Sequence, residues 1–180
     1  MRELKLDTLK NGLPGLTEMM GAYFLEAAIV ALTKNGHQSG TILKVKGDFK
    51  ESFQLKWSSA LDKPTLGSWK NEQKVAELGA VAISLLLLLE LTDYNGFEES
   101  GSGTGIDYWL SNAESEDHPF HNQRKARLEI SGILKASRNN DIAARIRLKK
   151  RQVKLSDHTN LPAYIAIVEF GEPKSKIIKQ

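Results

Sequence analysis

The sequence predicts an α/β fold, a central mixed β-sheet flanked by helices on both sides. Three observations carry that expectation. AYIAIVEF, residues 163–170, is a near-continuous apolar run of strand length, as an interior strand covered on both faces requires. Leu78–Leu89 is apolar for 12 residues apart from Gly79 and Ser84, too short to span a bilayer but suited to a buried helix. Helix and strand signals also interleave along the chain in the order helix, strand pair, buried helix, strand pair, basic helix, buried strand.

Pro14 and Gly15 precede a first helix that opens near Thr17 and ends at Asn35-Gly36. Its Met20, Phe24, Ala27, Ala28 and Ala31 recur at helical spacing. Ile42 and Val45, then Phe53, Leu55 and Trp57, predict two strands about the Gly47-Asp48 turn. Lys44, Lys46, Lys50 and Lys56 alternate through them, as a solvated face or as one that meets phosphates. SALDKPTLGS (59–68) reads as a loop, and a second helix covers about 71–91. DYNGFEESGSGTG (93–105) reads as a flexible connection into a strand at 105–111. A polar hairpin loop at 112–123 leads to a neighbouring strand at 126–134. The third helix, 139–154, has Asn140 or Asp141 as its N-cap and gathers its cations toward its C-terminal half, where the helix dipole favours them. Residues 1–68 are expected to be an elaboration packed on a core of 69–180, the whole forming one compact domain.

Composition narrows the function classes. With no cysteine, thiolate metal sites and disulfide frameworks are excluded, which fits a reducing, cytoplasmic setting. The N-terminus MRELKLDTLK is charged and has no apolar core of the kind a signal peptide needs, and no membrane association is expected. The net charge of +3 is mild, but Arg145, Arg147, Lys149, Lys150, Arg151 and Lys154 fall in one short stretch, while Glu98, Glu99, Asp107, Glu114, Glu116 and Asp117 make the region before it acidic.

Two acids interrupt otherwise apolar strands. In GTGIDYWL (103–110), Asp107 points opposite Ile106, Tyr108 and Leu110, with Trp109. In ARLEISGI (126–133), Arg127, Glu129, Ser131 and Ile133 share one face, and Leu128, Ile130 and Gly132 the other. If the two strands are antiparallel neighbours, Asp107 and Glu129 stand side by side. Two carboxylates in a half-buried site repel, and a hard divalent cation removes the repulsion. Mg²⁺ or Mn²⁺ at such a pair can acidify water and clamp a phosphate oxygen. The bland alternatives are a strand-end acid for Asp107 and a pairing with Arg127 or Arg124 for Glu129. A His118-x-x-His121 pair in the polar loop is a poor zinc signal, and GSGTG lacks the Lys of a phosphate-binding loop, so its glycines are read as allowing close backbone approach.

The helix with AELGA (76–80), followed by GTGIDYWL and RLEISG (127–132), resembles the PD-(D/E)XK, or restriction-endonuclease-like, nuclease superfamily over about residues 69–172. The resemblance implies a metal-dependent phosphodiester hydrolase acting on nucleic acid, DNA first, in a setting such as prokaryotic genome defence. It implies Glu77 as helix acid, Asp107 as strand acid and Glu129 as the acid of the acid–x–Lys triplet, together holding the metal. It also matches the basic helix and buried strand to the family's last core elements. Ser131 stands where the family has Lys. Three routes are then open: a Lys supplied from the basic helix by Lys149 or Lys150, a role for Gln152 in orienting phosphate or water, or a silent site on a binding scaffold. Glu77 is equally readable as a first-turn helix acid, and Glu90 is a rival for its place. Arg145, Lys149 and Gln152 share one helix face and Arg147, Arg151 and Lys154 another, so Arg145, Lys149, Lys150, Arg151 and Gln152 are candidates for backbone contact. A protein partner or a homodimer is a further expectation, with the first 60 residues supplying dimer or substrate contacts.

Overall fold

The computed structural model describes residues 1–112 and 124–180. The strands are β1 (Arg2–Lys5), β2 (Ile42–Gly47), β3 (Glu51–Lys56), β4 (Gly96–Glu99), β5 (Tyr108–Ser111), β6 (Ala126–Ile133), β7 (Ala163–Glu169) and β8 (Lys174–Lys179). The helices are α1 (Glu18–Lys34), α2 (Lys63–Ser68), α3 (Glu72–Leu91) and α4 (Ile142–Gln152), with 3-10 turns at Leu6–Asn11 and Val153–Thr159. All eight strands form one mixed sheet in the order β1-β3-β2-β8-β7-β6-β5-β4. The expected neighbours 105–111, 126–134 and 163–170 lie together as β5, β6 and β7, with β5 antiparallel and β7 parallel to β6.

Each helix begins where a side chain can cap it. Thr17 accepts from the Met20 N–H, Asn71 from the Lys74 N–H and Asp141 from the Ala144 N–H. The last of these settles the N-cap of the basic helix on Asp141. Helices α1 and α3 pack on one sheet face and share the larger core with Leu43, Phe53, Leu128, Tyr164 and Val168. Helix α4 covers the other face through Ile146, against Ile133, Ile165 and Ile167, with Trp109 in the same cluster. Strand β7 is buried along its whole length because it is covered on both sides. No helix among the described residues is long and apolar enough to cross a membrane.

Several expectations change. The 59–68 loop holds the short helix α2, capped by Asp62. The 93–105 connection contains β4, an edge strand paired with β5. Strand β5 starts at Tyr108, three residues later than expected, and the chain bends at Asp107. Strand alternation does not extend back through that bend, so Ile106 joins Trp109 on the α4 side instead of Tyr108 and Leu110. Strands β1 and β8 were not expected at all, and β8 places the N-terminal strands in the same sheet as the rest. The 112–123 hairpin, with His118 and His121, lies from residue 113 onward outside the described residues.

Candidate active site

Strand pairing brings the two acids together. The Asp107 N–H donates to the Leu128 carbonyl at 2.8 Å, and its Oδ2 accepts the Ile130 N–H at 2.6 Å. Those bonds bracket Glu129 and hold Asp107 beside it. Glu129 points to the α4 side, only 3% exposed. From α4, Lys149 reaches down and donates Nζ to Glu129 Oε1 at 2.5 Å. The alternative partners are engaged elsewhere. Arg124 pairs with Glu98, and the buried Arg127 donates to Ser156, Asp157 and the carbonyls of Val153 and Leu161. Arg127 thereby fixes the C-terminal end of α4 against β6.

A pocket of about 680 Å³ opens over this pair, bringing Glu77, Ser131, Arg145 and Gln152 to the same wall as Asp107, Glu129 and Lys149. Glu77 sits exposed at the rim, where Gln73 donates to it, and Arg145 is held by Asn140. Lys150 and Arg151 are exposed on α4 and do not line the pocket. Glu90, the rival to Glu77, pairs with Arg2 instead. The 100–105 loop forms the opposite wall. Gly105 has φ +72°, and a Cβ there would lie 2.1 Å from the Gln152 carbonyl oxygen, so the loop can press against the end of α4 only with glycine at this position. Glu99 is a lining acid that sequence reasoning missed; its only sequence signal was membership of the acidic stretch.

The electrostatics follow from this crowding. Four carboxylates (Glu77, Glu99, Asp107, Glu129) face two cations (Arg145, Lys149). Burial, then the charge of Asp107, pushes the Glu129 carboxyl up to about 7, while the hydrogen bond and charge of Lys149 pull it the other way. Burial, with Glu99 and Asp107, also pushes the Tyr108 phenol up. For Glu129 the folded chain binds more protons than the unfolded one between pH 4.5 and about 7. Stability therefore falls as pH rises through that window, and the loss remains above it. Carboxyl titration by NMR should give a midpoint near 7 for Glu129, higher in Lys149→Met and lower in Asp107→Asn; unchanged midpoints would contradict this account of the charges.

The donor set suits a hard cation. Asp107 and Glu129 supply carboxylate oxygens, and the side-chain oxygen of Gln152 is buried with no hydrogen-bond partner in the same pocket. No group of three or more His, Cys, Asp or Glu able to hold a metal occurs among the described residues. A pair is enough for Mg²⁺, which keeps several of its waters and takes one or two protein carboxylates. No protein-family model matches the chain, and neither a curated protein nor a solved structure matches it.

Proposed function

We propose that this chain is a small Mg²⁺- or Mn²⁺-dependent nuclease, or nuclease subunit, of the PD-(D/E)XK type, hydrolysing phosphodiester bonds of nucleic acid in this pocket. The observation that carries the reading is the meeting of Asp107, Glu129 and Lys149, from a bend, a strand and a helix, at one buried point. Asp107 and Glu129 would hold the ion, which when bound acidifies water and neutralises phosphate charge. Lys149 favours the ionised form of Glu129 against the effect of burial and sets a positive charge beside the reacting phosphate, the task that the triplet Lys has in the family. The free oxygen of Gln152 accepts a hydrogen bond from the attacking water and so orients it. Arg145 at the pocket wall, with Lys150 and Arg151 outside it, contacts flanking phosphates. The water oxygen would bond to phosphorus as the bond from phosphorus to the ester oxygen breaks, and the proton given up by the water would balance the one taken up by the leaving oxygen.

One observation favours a second reading, a silent scaffold that binds nucleic acid or protein. Lys149 already pairs with Glu129, and among the described residues no third acid comes close enough to share a metal with Asp107 and Glu129. A lysine swap separates the two. Lys149→Ala should slow Mg²⁺-dependent cleavage about a hundredfold, as expected for loss of one preorganised charge at the reacting group. Ser131 lines the same pocket on the Glu129 strand, so Ser131→Lys in the Lys149→Ala chain should restore part of the rate. In the wild-type chain, Ser131→Lys should crowd Lys149 and slow cleavage. A wild-type protein that cuts neither DNA nor RNA with Mg²⁺ or Mn²⁺ removes the nuclease reading and leaves the scaffold.

A further inference from the structure

The half of the sheet that α4 leaves uncovered carries charge that the pocket does not use. On this face Lys44 stands in register beside Lys174, and Lys46 beside Lys176. Like charges directly opposite each other on neighbouring strands are destabilising. Lys174 is offset by Glu172 at 2.6 Å and Glu169 at 3.6 Å. Lys46 and Lys176 have no ion-pair partner among the described residues, and the acid whose charge Lys44 feels is the same Glu172. At the hairpin end, Lys44, Lys46 and Lys50 ring a shallow pocket of about 490 Å³ with Ser52, where Glu51 is the acid present.

The register ties this patch to the candidate site. Ser131 pairs with Ile167, Ile167 with Lys176 and Lys176 with Lys46, all on one face. Lys46 is thus three strands from Ser131, ~14 Å at the usual strand spacing. Helix α4 lies over the row between them and carries exposed Arg147 and Lys150 about half a turn from its pocket-facing Arg145 and Gln152, with exposed Lys154 on the 3-10 turn that follows. A basic surface therefore continues from the pocket, over α4, onto the open strands.

We propose that the open face of β2, β3 and β8 binds the phosphate backbone of duplex nucleic acid, as a contact separate from the cleavage pocket. The inference rests on the nucleic-acid part of the proposed function and not on its metal chemistry. Uncompensated lysines across adjacent strands complement a polyanion. The strand positions of this face hold no aromatic side chain on which unpaired bases could stack, which selects a duplex over a single strand.

The test is binding of a short fluorescent DNA duplex by anisotropy, in EDTA so that cleavage does not intervene, across about 50 to 200 mM salt. The triple variant Lys44→Ala, Lys46→Ala, Lys176→Ala should weaken affinity about tenfold or more and flatten the log–log salt slope by roughly 2 to 3, close to one per lost phosphate contact. The matching triple arginine variant should bind like wild type, which separates lost charge from misfolding. The proposal is overturned by an alanine variant with unchanged affinity and slope, or by an arginine variant as weak as the alanine one. Binding of a single strand or of phosphatidylserine vesicles with no binding of duplex also overturns it. A protein that binds duplex through these lysines and cuts nothing keeps this inference and loses the nuclease. One that cuts, and binds unchanged without the lysines, does the reverse.

Discussion

Replacing Asp107 by Asn should leave a folded protein that has lost cleavage and has become slightly more stable above neutral pH. The Asn side-chain oxygen can still accept the Ile130 N–H, so the strand pairing that positions Glu129 persists. What disappears is one negative charge beside a buried carboxyl. The Glu129 pKa, pushed up to about 7, should then fall. Relief of a substantial part of that shift is worth about 1 kcal/mol at pH 8 and nothing near pH 4, where Glu129 is protonated in both the folded and unfolded chains. The same lost charge takes away half of the carboxylate pair proposed for the metal. Metal-assisted charge stabilisation is worth several kcal/mol, so cleavage should drop about a thousandfold. Denaturation curves at the two pH values, set beside a cleavage assay, read both effects. Opposite signs on stability and activity mark a functional acid; loss of both would mark a structural one.

The largest stability effect should come from a glycine. A Cβ on Gly132 would lie 1.9 Å from the Ala76 carbonyl oxygen and 2.9 Å from the Glu77 nitrogen. Both atoms belong to the backbone of α3, so no side-chain rotation can make room, and α3 itself would have to lift from β6. Overpacking of this kind costs about 3 kcal/mol at the upper end of its usual range. Gly132→Ala should therefore move the urea midpoint strongly downward, or prevent folding. It should also disturb the pocket, because α3 carries Glu77 at the rim and β6 carries Ser131 and Glu129. An unchanged midpoint would mean that α3 does not sit this close to the sheet.

Much of this architecture is legible in the sequence because periodicity reports burial. Helix α3 from Leu78 to Leu89 and strand β7 as far as Val168 are almost wholly apolar and lie largely buried, while the alternation in β6 separates the α3 side from the α4 side as read. Strand β8 is not legible. Lys174, Lys176 and Lys179 make KSKIIK look like a solvated tail, yet Ser175 and Ile177 point into the core and its backbone joins β2 to β7. Strand β1 has the same character, with Leu4 its one buried residue and a parallel pairing to β3 that no local signal announces. Asp107 and Glu129 could be singled out because an acid within an apolar strand needs a reason. Lys149 could be placed on a helix face by spacing, but whether it or Lys150 reaches Glu129 depends on how α4 lies across β6, which is a tertiary fact. Glu99 could not be singled out, because the pairing of β4 with β5 decides that it faces the pocket.

The divalent-cation site proposed at Asp107 and Glu129 can be measured by binding alone. Calorimetric titration of Mn²⁺ into the purified chain near pH 7 tests it most directly. The account predicts one ion per chain, with protons released to the buffer as Glu129 ionises on binding, and no binding heat in Asp107→Asn. Absence of binding by the wild-type chain, or equal binding by Asp107→Asn, would contradict it.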